Sequence, residues 1–137
     1  MRNSPAVVYI HGFNSSPASF KAQRLRRAWL QLDLPEAQLL IPELHHHPER
    51  AIVQLQEAIA QLEQPVLIGS SLGGFYATYL AEQYHLKALL INPAVAPQHL
   101  FDGFFAEQEN LYTGERWLLT ESHLQALAAL DVAPPNA

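Results

Sequence analysis

Four short apolar runs recur along the chain, at residues 6–10, 38–41, 65–68 and 87–92, each rich in Val, Ile and Leu. They are continuous rather than alternating, the pattern of parallel strands whose two faces are both covered by helices. Between them the spacing changes to threes and fours. Ile52, Leu55, Ile59 and Leu62 fall on one helical stripe, with Pro48 suited to its first turn. Ala22, Leu25, Ala28, Trp29 and Leu32 make another stripe, with Ser16 as N-cap, Pro17 at the first helical position and closure before Pro35. A third helix is expected from a turn at Ser71 to about Tyr84. The alternation β-α-β-α-β-α-β predicts a single α/β domain over residues 1–137: three layers around a doubly wound, mainly parallel sheet with right-handed crossovers.

Beyond Asn92 the pattern changes. Pro93, Pro97, Gly103 and Gly114 interrupt it, Trp117-Leu118-Leu119 suggests a short strand, and residues 121–130 read as a last helix. No fifth strand of the sheet is evident, so residues 97–131 are expected to form a cover segment within the domain. The final residues, 133–137, carry two prolines and read as a linker-like end.

Composition narrows the chemistry. Of 137 residues 49% are hydrophobic and 15% charged, which suits one core-forming domain. A formal charge of −5 gives no general attraction for nucleic acid or anionic membrane, and small neutral or apolar substrates fit better. There is no cysteine, so disulfides, thiolate metal sites and a Cys nucleophile are excluded. With no secretory signal pattern and no long apolar span, a cytoplasmic location is expected.

The third apolar run ends in Gly69-Ser70-Ser71-Leu72-Gly73-Gly74, a G-x-S-x-G pattern at Gly69, Ser71 and Gly73 between a strand and a helix. As a bare pattern it could be a glycine-rich turn and nothing more. Its placement says otherwise. A nucleophile presented on so tight a turn needs small neighbours two residues to either side, hence the glycines. The helix start supplies the Leu72 N–H and a positive dipole end for charge developing on oxygen. A second donor is expected from the loop after the first strand, His11-Gly12-Phe13, where the Phe13 N–H takes that role and His11 orients the loop. Neither G-x-G-x-x-G nor a P-loop occurs, which disfavours a dinucleotide or phosphate site.

These stretches, together with Asn14-Ser15-Ser16-Pro17, Phe75-Tyr76-Ala77-Thr78, Asn92-Pro93-Ala94-Val95 and Glu109-Asn110-Leu111-Tyr112-Thr113-Gly114, resemble the YqiA-like esterases of the α/β-hydrolase superfamily. The resemblance implies hydrolysis of short-chain carboxylic esters, with Ser71 as nucleophile and no cofactor. It also implies a triad acid and histidine in further C-terminal segments that these 137 residues do not contain. The expectation is therefore a truncated α/β-hydrolase fold: inactive or weak alone, with a sheet edge open to self-association. The alternative is a catalytically dead binding or interaction module with the same pocket.

Other residues have plainer readings. Asp102 and Asp131 as acids, and His99 and His123 as bases, do not match the expected order of strands and loops; His123 falls at a cover-helix position of the family. The run His45-His46-His47 lacks the spacing that sets metal ligands on one face, and suits a solvated loop at the rim of the substrate entrance. Phe75, Tyr76 and Tyr79 suit packing behind the nucleophile. Phe104, Phe105 and Tyr112 are candidates for an acyl pocket. Arg24, Arg26 and Arg27 suit a solvated helix face.

Overall fold

The computed structural model describes residues 5–99 and 107–131. Strands β1 (Val7–Ile10), β2 (Leu39–Leu40), β3 (Val66–Ser70) and β4 (Ala88–Ile91) form one parallel sheet in the order β2-β1-β3-β4. The pairing of Val8 with Leu67 and Ile10 with Gly69 brings the carboxyl ends of β1 and β3 level. Helices α1 (Phe20–Gln31), α2 (Pro48–Ala60) and α3 (Leu72–Tyr84) connect the strands.

Side-chain alternation along β1 decides which helix lies where. Val7 and Tyr9 pack with Ala22 and Trp29 of α1, while Val8 and Ile10 join Ile52, Leu55, Phe75 and Leu80 of α2 and α3 on the opposite face. Strand order reverses between β1 and β3, so their outgoing loops diverge. The resulting crevice at the carboxyl ends is where open α/β sheets bind ligands. The doubly wound α/β architecture is as the apolar pattern predicts.

Several boundaries differ from the sequence expectation. Helix α1 begins at Phe20, capped by the Ser19 hydroxyl, which accepts from the Ala22 N–H at 3.3 Å. Ser16 caps only the preceding turn, accepting from the Ala18 N–H at 2.9 Å. The helix stops at Gln31, leaving Leu32 71% exposed rather than on the buried stripe. Strand β2 shrinks to two residues. At the sheet edge, β4 pairs only with β3 among the described residues, and Leu89 and Leu90 are exposed rather than buried.

The segment after β4 holds a strand that its charge conceals: β5 (Glu107–Glu109) pairs antiparallel with β6 (Arg116–Leu118), separate from the main sheet. Helix α4 (Glu121–Ala129) follows and sends Leu127 into the core beside α2 and α3. No described helix is long and apolar enough to cross a membrane.

Candidate active site

Ser71 sits between β3 and α3 with φ 57° and ψ −119°, a conformation that costs a non-glycine residue of order 1–3 kcal/mol. Three backbone hydrogen bonds hold it there. Its N–H donates to the Ile91 carbonyl at 3.0 Å, and its carbonyl accepts from Gly74 at 2.9 Å and Ala94 at 2.8 Å. The side chain is exposed at the bend. Its neighbour Ser70 is buried, and the Ser70 hydroxyl is engaged by the Lys21 ammonium at 3.4 Å and by the Tyr9 phenol. Of the two serines, Ser71 is the exposed one.

The glycines permit this bend by their contacts. A Cβ on Gly69 would run into the backbone of Gly73 and lie 2.7 Å from the Gly74 nitrogen, so the turn could not close. One on Gly73 would strike the Ile10 carbonyl, and one on Gly74 would lie 2.7 Å from the Pro93 Cβ. Helix α3 thus starts hard against the end of β1. That contact brings Gly12 beside the bend, where an added Cβ would sit 3.2 Å from the Ser71 Cβ. Leu72 is the first residue of α3, so its N–H has no intrahelical acceptor.

The loop after β1 is braced from several sides. His11 is buried; its Nε2 accepts from the Leu44 N–H at 2.9 Å, so the proton resides on Nδ1, which donates to the Gly12 carbonyl at 2.9 Å. Burial lowers its pKa, offset in part by the bond to Gly12 and by Glu43. The ribbon of β5 and β6 supplies further braces that the sequence did not reveal. Trp117 donates from its indole to the Asn14 Oδ1 at 2.8 Å and meets the Phe13 ring edge-on at 5.5 Å. Buried Asn110 donates to the Ser15 carbonyl at 2.8 Å and accepts from the Tyr112 and Thr113 N–H groups, closing its own turn. The block Glu109-Asn110-Leu111-Tyr112-Thr113-Gly114 was the available signal.

Two hollows flank this loop. The larger, 340 Å³, is lined by Tyr9, Phe13, Phe20, Lys21, Ser71 and Tyr112 among others. The smaller, of 30 Å³, lies between Phe13, His45, His46, Leu72 and Trp117. Rather than being solvated, the loop histidines form a packed cluster. The His46 ring stacks on Trp117 at 4.6 Å and on His123 at 5.1 Å, and His47 bonds to the Ser122 hydroxyl at 2.9 Å. His123 Nδ1 accepts from the Thr120 N–H at 3.2 Å, so its Nε2 proton is donated to His46 Nδ1 at 2.9 Å. Burial, then His47, His46 and His45, push its pKa down to about 4. No three described His, Cys, Asp or Glu groups are placed to hold a metal ion.

No imidazole among the described residues hydrogen-bonds the Ser71 hydroxyl. Both ring nitrogens of His11 and of His123 are spent elsewhere. Asp131 accepts from the Gln98 amide at 3.0 Å, and His99 belongs to a short 3-10 turn, Pro97–His99. Phe75 and Tyr76 are buried in the core, with Tyr79 packed against it; burial raises the Tyr76 phenol pKa. Asp102, Phe104 and Phe105 lie outside the described residues.

Comparison with known proteins agrees with the fold. The chain is similar to the crystal structure of a "Putative hydrolase from Agrobacterium vitis S4", with a TM-score of 0.71 and 18% identity over 94% of this chain and 62% of that one. Among curated proteins it is 32% identical over 98 residues to a "UPF0227 protein" of Shewanella woodyi, covering 67% of this chain and 52% of the relative. A Shewanella oneidensis relative of the same description is 27% identical over 103 residues, with 71% and 55% covered. The chain thus spans about half the length of the curated relatives it matches. A family profile matches residues 6–136, nearly the whole sequence, and by that match the chain belongs to the uncharacterised protein family UPF0227.

Proposed function

We propose that this chain carries the nucleophile half of a serine carboxylesterase acting on short-chain acyl esters. The carrying observation is the exposed Ser71, held at φ 57° on a strand-to-helix bend with the Gly12 loop against it. Its hydroxyl oxygen bonds to the ester carbonyl carbon while its proton passes to a base. The carbonyl oxygen takes the displaced electron pair between the N–H groups of Phe13 and Leu72. The C–O bond to the alcohol then breaks, the base returns its proton to the leaving oxygen, and water repeats the sequence to release the acid. His11 positions the Phe13 amide; Gly69, Gly73 and Gly74 allow the bend. The reading assigns base and acid to the part of the longer relatives that this chain does not span.

A second reading has its own support. Because no described imidazole is bonded to Ser71, the same pocket suits a binding or interaction module without turnover. Fluorophosphonate labelling of the full chain separates the two. Slow modification of Ser71, absent in Ser71→Ala, is expected, with ester turnover only about 10³ to 10⁴-fold above water. Failure to label Ser71 at excess probe overturns the esterase reading and favours the binding module.

A further inference from the structure

The larger hollow beside Ser71 contains a charge that the proposed chemistry does not use. Lys21 lines it, and its ammonium lies 3.4 Å from the Ser70 hydroxyl, one residue from the proposed nucleophile. Among the described residues lining the hollow it is the sole ionic group apart from the weakly acidic phenols of Tyr9 and Tyr112. No carboxylate lies within salt-bridge distance of it among the described residues, whose ion pairing is Arg116 with Glu107 on the ribbon. Around Lys21 the field is reinforced. Helix α1 has no acidic residue in its first turn, so its positive end is left uncompensated, and Arg24 sits one turn on with its guanidinium 5.4 Å above the Phe20 ring. A local cationic site in a chain of net charge −5 therefore faces the same space as the exposed serine.

We infer that Lys21 is a specificity residue that selects esters bearing a second, negatively charged group, the half-esters of short dicarboxylic acids being the simplest class. This rests on the reading of Ser71 as nucleophile. The ester carbonyl lies over Ser71 while the free carboxylate pairs with the Lys21 ammonium. Phe20, Phe13 and Tyr112 provide the apolar walls along which the short methylene linker runs. Ser70 serves as a positioning residue, its buried hydroxyl steering the lysine into the hollow rather than into solvent. Because Lys21 is exposed, the preference is modest and sensitive to salt.

The test is equilibrium binding, which needs no turnover. Monomethyl glutarate and dimethyl glutarate are titrated into the full chain at low ionic strength and followed by NMR. The half-ester is expected to bind about five-fold more tightly, as an exposed charge pair allows. Lys21→Met should abolish the difference, Lys21→Arg should keep it, and 0.5 M salt should shrink it. Equal affinity for the two esters, or a preference that survives Lys21→Met, overturns the inference. Fluorophosphonate labelling on the same samples reports the catalytic reading separately. Charge selection without Ser71 labelling leaves Lys21 as the anchor of a binding site; labelling without charge selection removes Lys21 alone.

Discussion

The loop after β1 separates two regions built on opposite principles. On one side, the bend at Ser71 is held by backbone hydrogen bonds and by glycines that leave no room for a Cβ. On the other, His46, His47, Trp117 and His123 hold the β5–β6 ribbon and α4 through stacked rings and side-chain hydrogen bonds. The first contains no group that titrates near neutrality. The second includes His46 and His123, whose pKa values are lowered by burial and by neighbouring imidazoles. One is therefore rigid at any moderate pH, and the other is a fastening whose strength depends on protonation.

The largest expected effect is at Gly73. Gly73→Val drives a side chain into the Ile10 carbonyl and should cost more than about 3 kcal/mol, read as a lowered urea midpoint or loss of soluble protein. If Gly73→Val were tolerated with Ser71 still labelled, the close contact between α3 and β1 would not be what fixes the bend. Next is Trp117→Ala, which removes a buried indole, its stack on His46 and its bond to Asn14; roughly 3–5 kcal/mol is expected in the same measurement.

How far the sequence disclosed these regions follows from the same contrast. Gly69, Gly73 and Gly74 were legible because a backbone without space for a side chain leaves only one residue type. The apolar runs were legible because β1 and β3 are covered on both faces. Ser16 and Ser19 are equally suited to capping, and Pro17 favoured the wrong one; the distinction lies in which hydroxyl meets a helical N–H. Strand β5, Glu-Gln-Glu, has no apolar alternation to betray it and is recruited by β6. The histidine cluster was illegible for another reason: its partners lie 75 and 77 residues apart, and nothing local in His45-His46-His47 names Ser122 or His123.

Acid provides a subtler discrimination. His123 is held at about 4 in the folded protein against about 6.5 unfolded, so between those values the unfolded chain binds the extra proton. Stability is full above pH 6.5 and declines as pH falls toward 4; burial of His11, His45 and His46 acts in the same direction. A thermal midpoint lower by roughly 5 °C at pH 5 than at pH 7 is expected, with a smaller drop in His123→Asn. An unchanged midpoint would mean that the cluster contributes little to holding the ribbon and α4. The smallest effect concerns the bend itself: Ser71→Gly should raise stability by on the order of 1 kcal/mol by relieving positive φ, whereas Ser71→Ala should not. A urea midpoint that rises equally for both would point to the hydroxyl, not the backbone, as the source of strain.

The Ser71 carbonyl receives two amides at once, one from its own helix and one from Ala94 beyond the sheet edge. Any fraying of the outermost strand would release the second amide together with the Ile91 carbonyl that receives the Ser71 N–H, so disturbance at the periphery slackens the bend from two sides. Deuterium uptake at Ala94 should consequently act as a distant gauge of whether that serine is still held at its bend.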